Sequence, residues 1–195
     1  MSGRTEEFLK TANTDNELME RVRDGEVKRL GELFERHAEK LHGFFVRHTN
    51  RRDAGDDLVQ DVFFRMLKYR HTFRGDAPFT VWMYQLARNA AADYFRKWNR
   101  EYPTEEIPEE RLENEAGADE MMEQKERAKF LQAALKRLEP AKREVLLLSR
   151  YQELKYDEIG KILDCPVGTV KARVHFALKD LREEYFKLSG EKTID

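Results

Sequence analysis

An abrupt acidic run between positions 101 and 126 constrains this chain more than any other feature of its sequence. Eleven acidic residues stand there against two basic ones, a net charge of −9, and the run also holds Pro103 and Pro108. Proline interrupts helices, like charges extend a chain, and little apolar surface is present to order this one. The run therefore predicts a flexible linker at 101–118 that divides the chain into two small domains.

The net charge of −2 for the whole chain conceals this segregation. Outside the acidic run the chain holds 34 basic and 27 acidic residues, a net charge of +7. Basic faces on two folded domains are compatible with a nucleic-acid partner, although an average near neutrality taken alone would argue against one.

Hydrophobic spacing predicts the fold class. Apolar residues recur three and four positions apart in both halves of the chain, and strict alternation nowhere persists. We therefore predict an all-α fold without a sheet, made of two small helical domains. The predicted divisions are a flexible extension at 1–14, a first domain at 15–100, the linker at 101–118, a second domain at 119–188 and a tail at 189–195. The clearest predicted helices lie at about 54–69, 79–99, 121–138, 141–149, 156–163 and 166–186.

Several classes of protein are disfavoured by what the sequence lacks. The single cysteine, Cys165, cannot form an internal disulfide, and five scattered histidines predict no metal site and no cofactor. The longest apolar run, 145–148, is far shorter than the roughly 18 residues of a membrane span, and the first thirty residues are too charged for a signal peptide. No phosphate-binding glycine loop and no paired nucleophile and base are present, so we expect no catalytic residue. The expectation is a cytoplasmic protein, not an enzyme, without membrane insertion.

The sharpest local signal is a helix-turn-helix pattern at 156–179. A short amphipathic helix meets a break at Asp164 and Cys165, and Pro166 suits the first turn of a new helix because its missing amide hydrogen would be unpaired there. One side of the new helix carries an apolar stripe that we expect to anchor it: Val167, Val170, Val174, Leu178 and Leu181. Small and basic residues on the other side are typical of a helix that enters a DNA major groove. A helical hairpin with a solvated basic face is the plainer alternative.

The outer side of that helix supplies the candidate DNA contacts. Phosphate contacts are expected from Lys171, Arg173 and Lys179. The residues expected near base edges are Thr169, Ala172, His175 and Phe176.

Three segments resemble the sigma-70 family of bacterial transcription initiation factors, and specifically its short extracytoplasmic-function (ECF) group, which retains only regions 2 and 4. DAGDDLVQDVF at 53–63 is similar to the region 2 segment that grips the polymerase clamp. FRGDAPFTVWMYQLARNAAADYFR at 73–96 is similar to the segment that recognises and melts the minus 10 element. The segment at 138–181, which begins LEPAKREV, is similar to region 4, which binds the minus 35 element.

The resemblance implies three partners: core RNA polymerase, contacted at its clamp and flap; promoter DNA; and an anti-sigma factor that holds the protein inactive. The implied polymerase contacts share one side of the helix at 54–69: Asp57, Gln60, Asp61 and Phe64. Acids and an amide around one exposed aromatic suit a basic partner helix. The same acids at a helix N-terminus also suit an ordinary solvated face.

The helix at 79–99 holds the implied minus 10 contacts. Melting requires a protein that holds unstacked bases with aromatic or amide side chains beside a phosphate-binding groove. By resemblance, Asn89 captures a flipped base. The other residues of this surface are expected to be Tyr84, Arg88, Asp93, Arg96 and Lys97, with Tyr84 and Tyr94 available for stacking. Trp82 falls on the apolar stripe and is assigned to the core, whereas Trp98 suits either role.

Two positions depart from the family pattern. Where the family commonly has a small hydroxyl residue this chain has Ala172, and where it commonly has a basic residue this chain has Phe176. Both changes remove hydrogen-bonding groups from the expected base-reading face. The function implied is that of an ECF sigma factor. The alternative is a DNA-binding regulator that uses its helix-turn-helix alone.

Overall fold

The computed structural model of this protein describes residues 13–101 and 119–190. Nearly all of the predicted linker, most of the predicted N-terminal extension and most of the predicted tail lie outside the described residues. All regular elements within these two ranges are helical, which confirms the all-α prediction. The α-helices of the described ranges are α1 (Asp15–Arg23), α2 (Leu30–Thr49), α3 (Asp53–Lys68), α4 (Phe79–Glu101), α5 (Asp119–Arg137), α6 (Pro140–Leu146), α7 (Tyr156–Leu163) and α8 (Val167–Ser189).

The predicted and observed helices differ most at α6. A single α-helix was expected at 141–149, but α6 ends at Leu146 and continues as a π-helical turn over Leu147–Tyr151. The wider turn is closed by a hydrogen bond from the Gln152 amide to the Leu147 carbonyl. It accompanies a run of four fully buried apolar side chains at 145–148, so this segment is surrounded by protein on all sides.

In the first half, α2, α3 and α4 pack together around buried aromatic and aliphatic side chains, with α1 against them. Helix α1 also fixes where α4 begins. The side-chain amide of Asn16 donates to the Ala77 carbonyl at 2.9 Å, and its oxygen accepts from the Phe79 amide at 2.7 Å. Arg23 adds a bond to the Phe73 carbonyl at 3.3 Å. The loop that leads into α4 is therefore held from both ends by α1.

In the second half, α8 is the central helix and α5, α6 and α7 pack against it. The core is aliphatic and is built from consecutive positions of α6 and from the apolar faces of α7 and α8. Its smallest members, Ala134 and Ala177, are completely buried, which indicates close approach of their helices to their neighbours.

The two halves meet in a contact that we call the interdomain joint, formed by His48, Tyr84 and Arg88 from the first half and by Arg143, Glu144 and Gln152 from the second. The buried guanidinium of Arg143 donates to the carbonyls of Leu135 at 3.0 Å and Leu138 at 3.1 Å, and also to that of Lys136. A fourth bond, 3.0 Å long, reaches the His48 carbonyl in the last turn of α2. One cation thus satisfies carbonyls at the C-terminal ends of both α5 and α2, where the helix dipole favours positive charge.

Candidate nucleic-acid interfaces

The turn between α7 and α8 is tight, and its residues explain why. Asp164 adopts a left-handed conformation with φ 51°, and the Cys165 amide donates to the Gly160 carbonyl at 3.0 Å. A side-chain carbon at Gly160 would lie 2.9 Å from the Cys165 carbonyl oxygen, so the close approach of the turn requires glycine there. Helix α8 begins one residue after Pro166, whose carbonyl accepts the first helical bonds from Thr169 and Val170.

The apolar stripe of α8 anchors it largely as predicted. Val170 and Val174 are buried, and Leu178 and Leu181 pack against the core while remaining half-buried. The expectation for Val167 was wrong, because this side chain is 39% exposed. Val167 lies in the first turn beside Gly160, and the completely buried Ala177 supplies the further anchoring contact instead.

The opposite side of α8 is accessible over its first four turns. Six of the seven candidate minus 35 residues are exposed and Thr169 is half-buried. The exposed residues are Lys171, Ala172, Arg173, His175, Phe176 and Lys179. Three cations therefore surround a small apolar area on one helix face, which is the composition that contact with a phosphate-lined groove requires.

On α3, the four candidate polymerase contacts differ in how far they are engaged within the protein. Asp57 and Gln60 are exposed, and the Phe64 ring is 64% exposed. Asp61 is half-buried, and its carboxylate accepts from Arg65 Nε at 2.9 Å. The same guanidinium donates to the Asp93 carboxylate of α4 at 2.9 Å. Asp61 and Asp93 thus form part of a charged link between two helices.

Helix α4 presents some of the candidate minus 10 residues and covers others. Asn89, Arg96 and Lys97 are exposed, and Asp93 is half-buried between Arg65 and Arg96, each 2.9 Å away. Further along the helix, the ring of Tyr94 stacks on that of Trp98 with centroids 6.3 Å apart.

Trp98 and Trp82 are both half-buried. The guanidinium of Arg51 lies 4.2 Å over the Trp98 ring, so Trp98 belongs to a packed aromatic edge. Trp82 packs against Phe73 and the core, as predicted.

Tyr84 and Arg88 lie in the interdomain joint. The expectation that Tyr84 is available for stacking was wrong for this arrangement, because the residue is only 2% exposed. Its hydroxyl donates to Gln152 Oε1 at 2.6 Å, and its ring meets Phe44 edge to face. Arg88 Nε donates to the Glu144 carboxylate at 3.1 Å. Tyr84, Ala87 and Ala91 share one buried face of α4, and this spacing is a sequence signal that could have indicated the burial of the Tyr84 ring.

Burial in the joint changes the proton affinity of its titratable groups. Burial, reinforced by the positive charges of Arg143 and Arg88, lowers the pKa of His48 to about 4. Burial raises the pKa of Glu144, an effect that Arg88 partly opposes. Burial also raises the pKa of the Tyr84 phenol. At neutral pH the joint therefore contains a neutral imidazole and a neutral phenol.

Among the described residues, no group of three or more histidine, cysteine, aspartate or glutamate side chains is arranged to hold a metal ion. Among the same residues, no helix combines the length and the apolar character that crossing a bilayer requires.

Comparison with known proteins identifies both halves. The family model described as Sigma-70 region 2 matches residues 33–101, and the model described as Sigma-70, region 4 matches residues 131–181. The ECF RNA polymerase sigma-E factor of Haemophilus influenzae is 31% identical over 171 residues, which cover 83% of this chain and 89% of that protein. The protein of the same name from Escherichia coli K12 is 31% identical over 170 residues, covering 83% and 88%.

Two solved structures share the fold. CnrH, determined in complex with the cytosolic domain of CnrY, superposes with a TM-score of 0.67 at 21% identity and covers 92% of this chain and 100% of its own. The sigma factor RpoE of Bartonella quintana, in complex with the anti-sigma factor NepR, gives a TM-score of 0.67 at 22% identity, with 80% and 96% covered. From the region 2 and region 4 matches and the 31% identity to ECF factors over most of its length, this chain belongs to the ECF group of the sigma-70 family of RNA polymerase sigma factors.

Proposed function

We propose that this protein is a dissociable specificity subunit, which binds core RNA polymerase, directs it to promoters through minus 35 and minus 10 elements, and promotes melting of the DNA. The observation that carries this proposal is the presence, in one chain and in the family order, of a region 2 domain and a region 4 helix-turn-helix with an accessible recognition face. The match over 33–101 does not favour a stand-alone regulator, because such a protein needs only the second half.

Region 2 would dock on the polymerase clamp through the exposed side of α3. Phe64 supplies an apolar anchor, and Gln60 and Asp57 supply acceptors one and two turns before it, respectively. Asp61 also belongs to this surface. Its carboxylate forms an ion pair with Arg65 at 2.9 Å, which holds it in place before binding. An exposed aromatic ringed by polar groups is the usual composition of an interface anchor.

Region 4 would hold the minus 35 duplex with the outer face of α8, while α4 traps melted minus 10 bases. Asn89 supplies an amide for a flipped base, and Arg96 and Lys97 both lie about two turns further along the helix for the backbone. The acidic linker at 101–118 would join the domains proposed at 15–100 and 119–188. Binding of one domain would therefore raise the effective concentration of the other at its own binding site.

Tyr84 and Arg88 would take part in minus 10 binding only after the interdomain joint separates. Core polymerase supplies the binding energy for that separation if it holds the two domains apart. An anti-sigma factor would have the opposite effect on activity, because it would hold the protein inactive. The proteins that share this fold include CnrH, solved with the cytosolic domain of CnrY, and the sigma factor RpoE, solved with the anti-sigma factor NepR, which supports a partner of the second kind here. The place of action would be the cytoplasm, where the chromosome is transcribed.

Run-off transcription tests the proposal. Core polymerase supplied with this protein is expected to initiate at discrete start sites on genomic fragments, whereas core alone or the protein alone gives no specific transcript. No discrete start with core present would contradict the proposal.

The Asn89→Ala variant tests the base-capture role separately. We expect it to bind core normally and to reduce permanganate reactivity of melted thymines by about tenfold, since one lost polar base contact is worth about 1–3 kcal/mol. Unchanged melting in this variant would remove the base-capture role and leave the overall function intact.

A further inference from the structure

The recognition face of α8 carries an apolar pair that the fold does not use. Phe176 is 57% exposed, and its ring meets the His175 ring edge to face with centroids 5.5 Å apart. Ala172 is exposed one helical turn before it, and residues four apart lie on the same side of a helix. The buried anchors of this segment, Val170, Val174 and Ala177, serve the core instead.

The surroundings of this pair are basic. Lys171 and Arg173 are exposed on either side of Ala172, and Lys179 is exposed one turn beyond Phe176. Lys179 Nζ lies 3.9 Å from Glu183, which is about three turns from Ala172 towards the C-terminal end of the helix. An apolar patch bordered by three cations fits a surface that is itself bordered by phosphates, and duplex DNA presents that arrangement at the major groove.

Within the major groove, one base alone offers an apolar group at its edge. Guanine, cytosine and adenine present hydrogen-bond donors and acceptors, whereas thymine adds the C5-methyl group to its acceptor. Side chains such as alanine and phenylalanine contact that methyl group but cannot satisfy a guanine or cytosine edge.

We infer that Ala172 and Phe176 are specificity-determining residues that read thymine methyl groups in the minus 35 element. The inference rests on the proposed function, because it assigns a base to the same α8 face. It follows that the preferred minus 35 element has an A·T pair, with its thymine on a fixed strand, at the position that Phe176 faces. At that pair the discrimination comes from burial of a methyl group rather than from a hydrogen bond.

Deoxyuridine tests the inference, because it differs from thymidine only in lacking the methyl group. Holoenzyme reconstituted from core and the full chain would first select minus 35 elements from a randomised promoter library. Each thymidine of the selected element would then be replaced singly by deoxyuridine, and the affinity of the holoenzyme would be measured. We expect at least one replacement to weaken binding about fourfold, the factor for one buried methyl group.

Two variants complete the experiment. In Phe176→Ala the replacement at the thymidine that Phe176 faces is expected to change affinity by less than about 1.5-fold, because the alanine side chain is too short to bury the methyl group that the ring contacts. Tyr69→Ala removes an exposed aromatic from the other half of the protein and should keep the full penalty. A selected element without thymine on either strand, equal affinity for all deoxyuridine promoters, or an undiminished penalty in Phe176→Ala would overturn the inference. A holoenzyme that selects no element at all would overturn the proposed function itself.

Discussion

Helices α4 and α8 are the two proposed DNA-binding elements of this protein, and their surroundings differ. On α8 the candidate residues are exposed, apart from the half-buried Thr169, and no other element of the described ranges covers their face. On α4, Tyr84 and Arg88 are engaged by Gln152 and Glu144 of the other half, while Asn89 and Arg96 remain exposed. Among the described residues, the proposed minus 35 surface is therefore accessible and the proposed minus 10 surface is divided, so only the second depends on how the two halves are arranged.

Arg143→Met should have the largest effect, because it removes the centre of the interdomain joint. Four carbonyls at the ends of α2 and α5 lose their donor, and methionine offers none in return. We expect the free energy of unfolding in urea to fall by about 3–5 kcal/mol. In the residual folded protein, a single-stranded minus 10 oligonucleotide should bind more tightly, while minus 35 duplex binding changes little.

The matched control is Arg150→Met, which removes an exposed arginine seven residues later and should change stability by less than about 0.5 kcal/mol. Equal stability of the two variants would show that Arg143 does not hold the joint.

Acidification should loosen the same joint through His48. Its pKa is about 4 in the folded protein, lowered mainly by burial. Because the folded pKa lies below the ordinary value near 6.5, its contribution to stability is complete above about pH 6.5 and is lost as the pH falls towards 4. The total is about 3 kcal/mol. Urea unfolding measured across this pH range should show the loss of unfolding free energy in wild type but not in His48→Phe. His175→Ala, which removes an exposed histidine, should lose stability as wild type does.

Gly160→Ala should weaken DNA binding by α8 and leave DNA binding by α4 unchanged. A methyl group 2.9 Å from the Cys165 carbonyl must displace the turn that aims α8. We expect a loss of about 1–3 kcal/mol in stability and a weaker minus 35 duplex complex. Gly31→Ala, a helical glycine with open space around it, should be neutral or slightly stabilising. A Gly160→Ala protein as stable as Gly31→Ala would show that the turn does not require glycine.

Tyr84→Phe should have the smallest effect. It keeps the buried ring and removes only the 2.6 Å hydrogen bond to Gln152, so we expect a loss of about 1 kcal/mol in unfolding free energy. Permanganate footprinting should show normal melting, since a phenylalanine ring stacks on a base as well as tyrosine does. A melting defect as severe as that expected for Asn89→Ala would place the Tyr84 hydroxyl in direct contact with promoter DNA.

Much of the fold was predictable because its signals are local. The spacing of apolar residues located α3, α4 and α7 to within about two residues, and Asp164, Cys165 and Pro166 marked the turn before α8. The burial of Val167 was mispredicted because helical periodicity describes a face and does not say where along the helix its contact with the core begins.

The interdomain joint was not predictable, because its contacts connect residues that are distant along the chain. Tyr84 and Gln152 are 68 positions apart, and Arg143 reaches the His48 carbonyl across 95 positions. No periodic pattern reports such pairs. The assignment of Tyr84 to the minus 10 surface followed from its helix, whereas its hydrogen bond to Gln152 depends on the second half of the protein.

A gel-shift assay with promoter DNA, in the presence and absence of core polymerase, tests the central claim most directly. A specificity subunit should form a tight, sequence-specific complex only when core is present, because core binding is proposed to separate the halves and so to complete the proposed minus 10 surface. We predict a specific shift with core and at most weak, salt-sensitive binding without it. Tight and specific binding to duplex DNA by the protein alone would contradict this account and favour a stand-alone regulator.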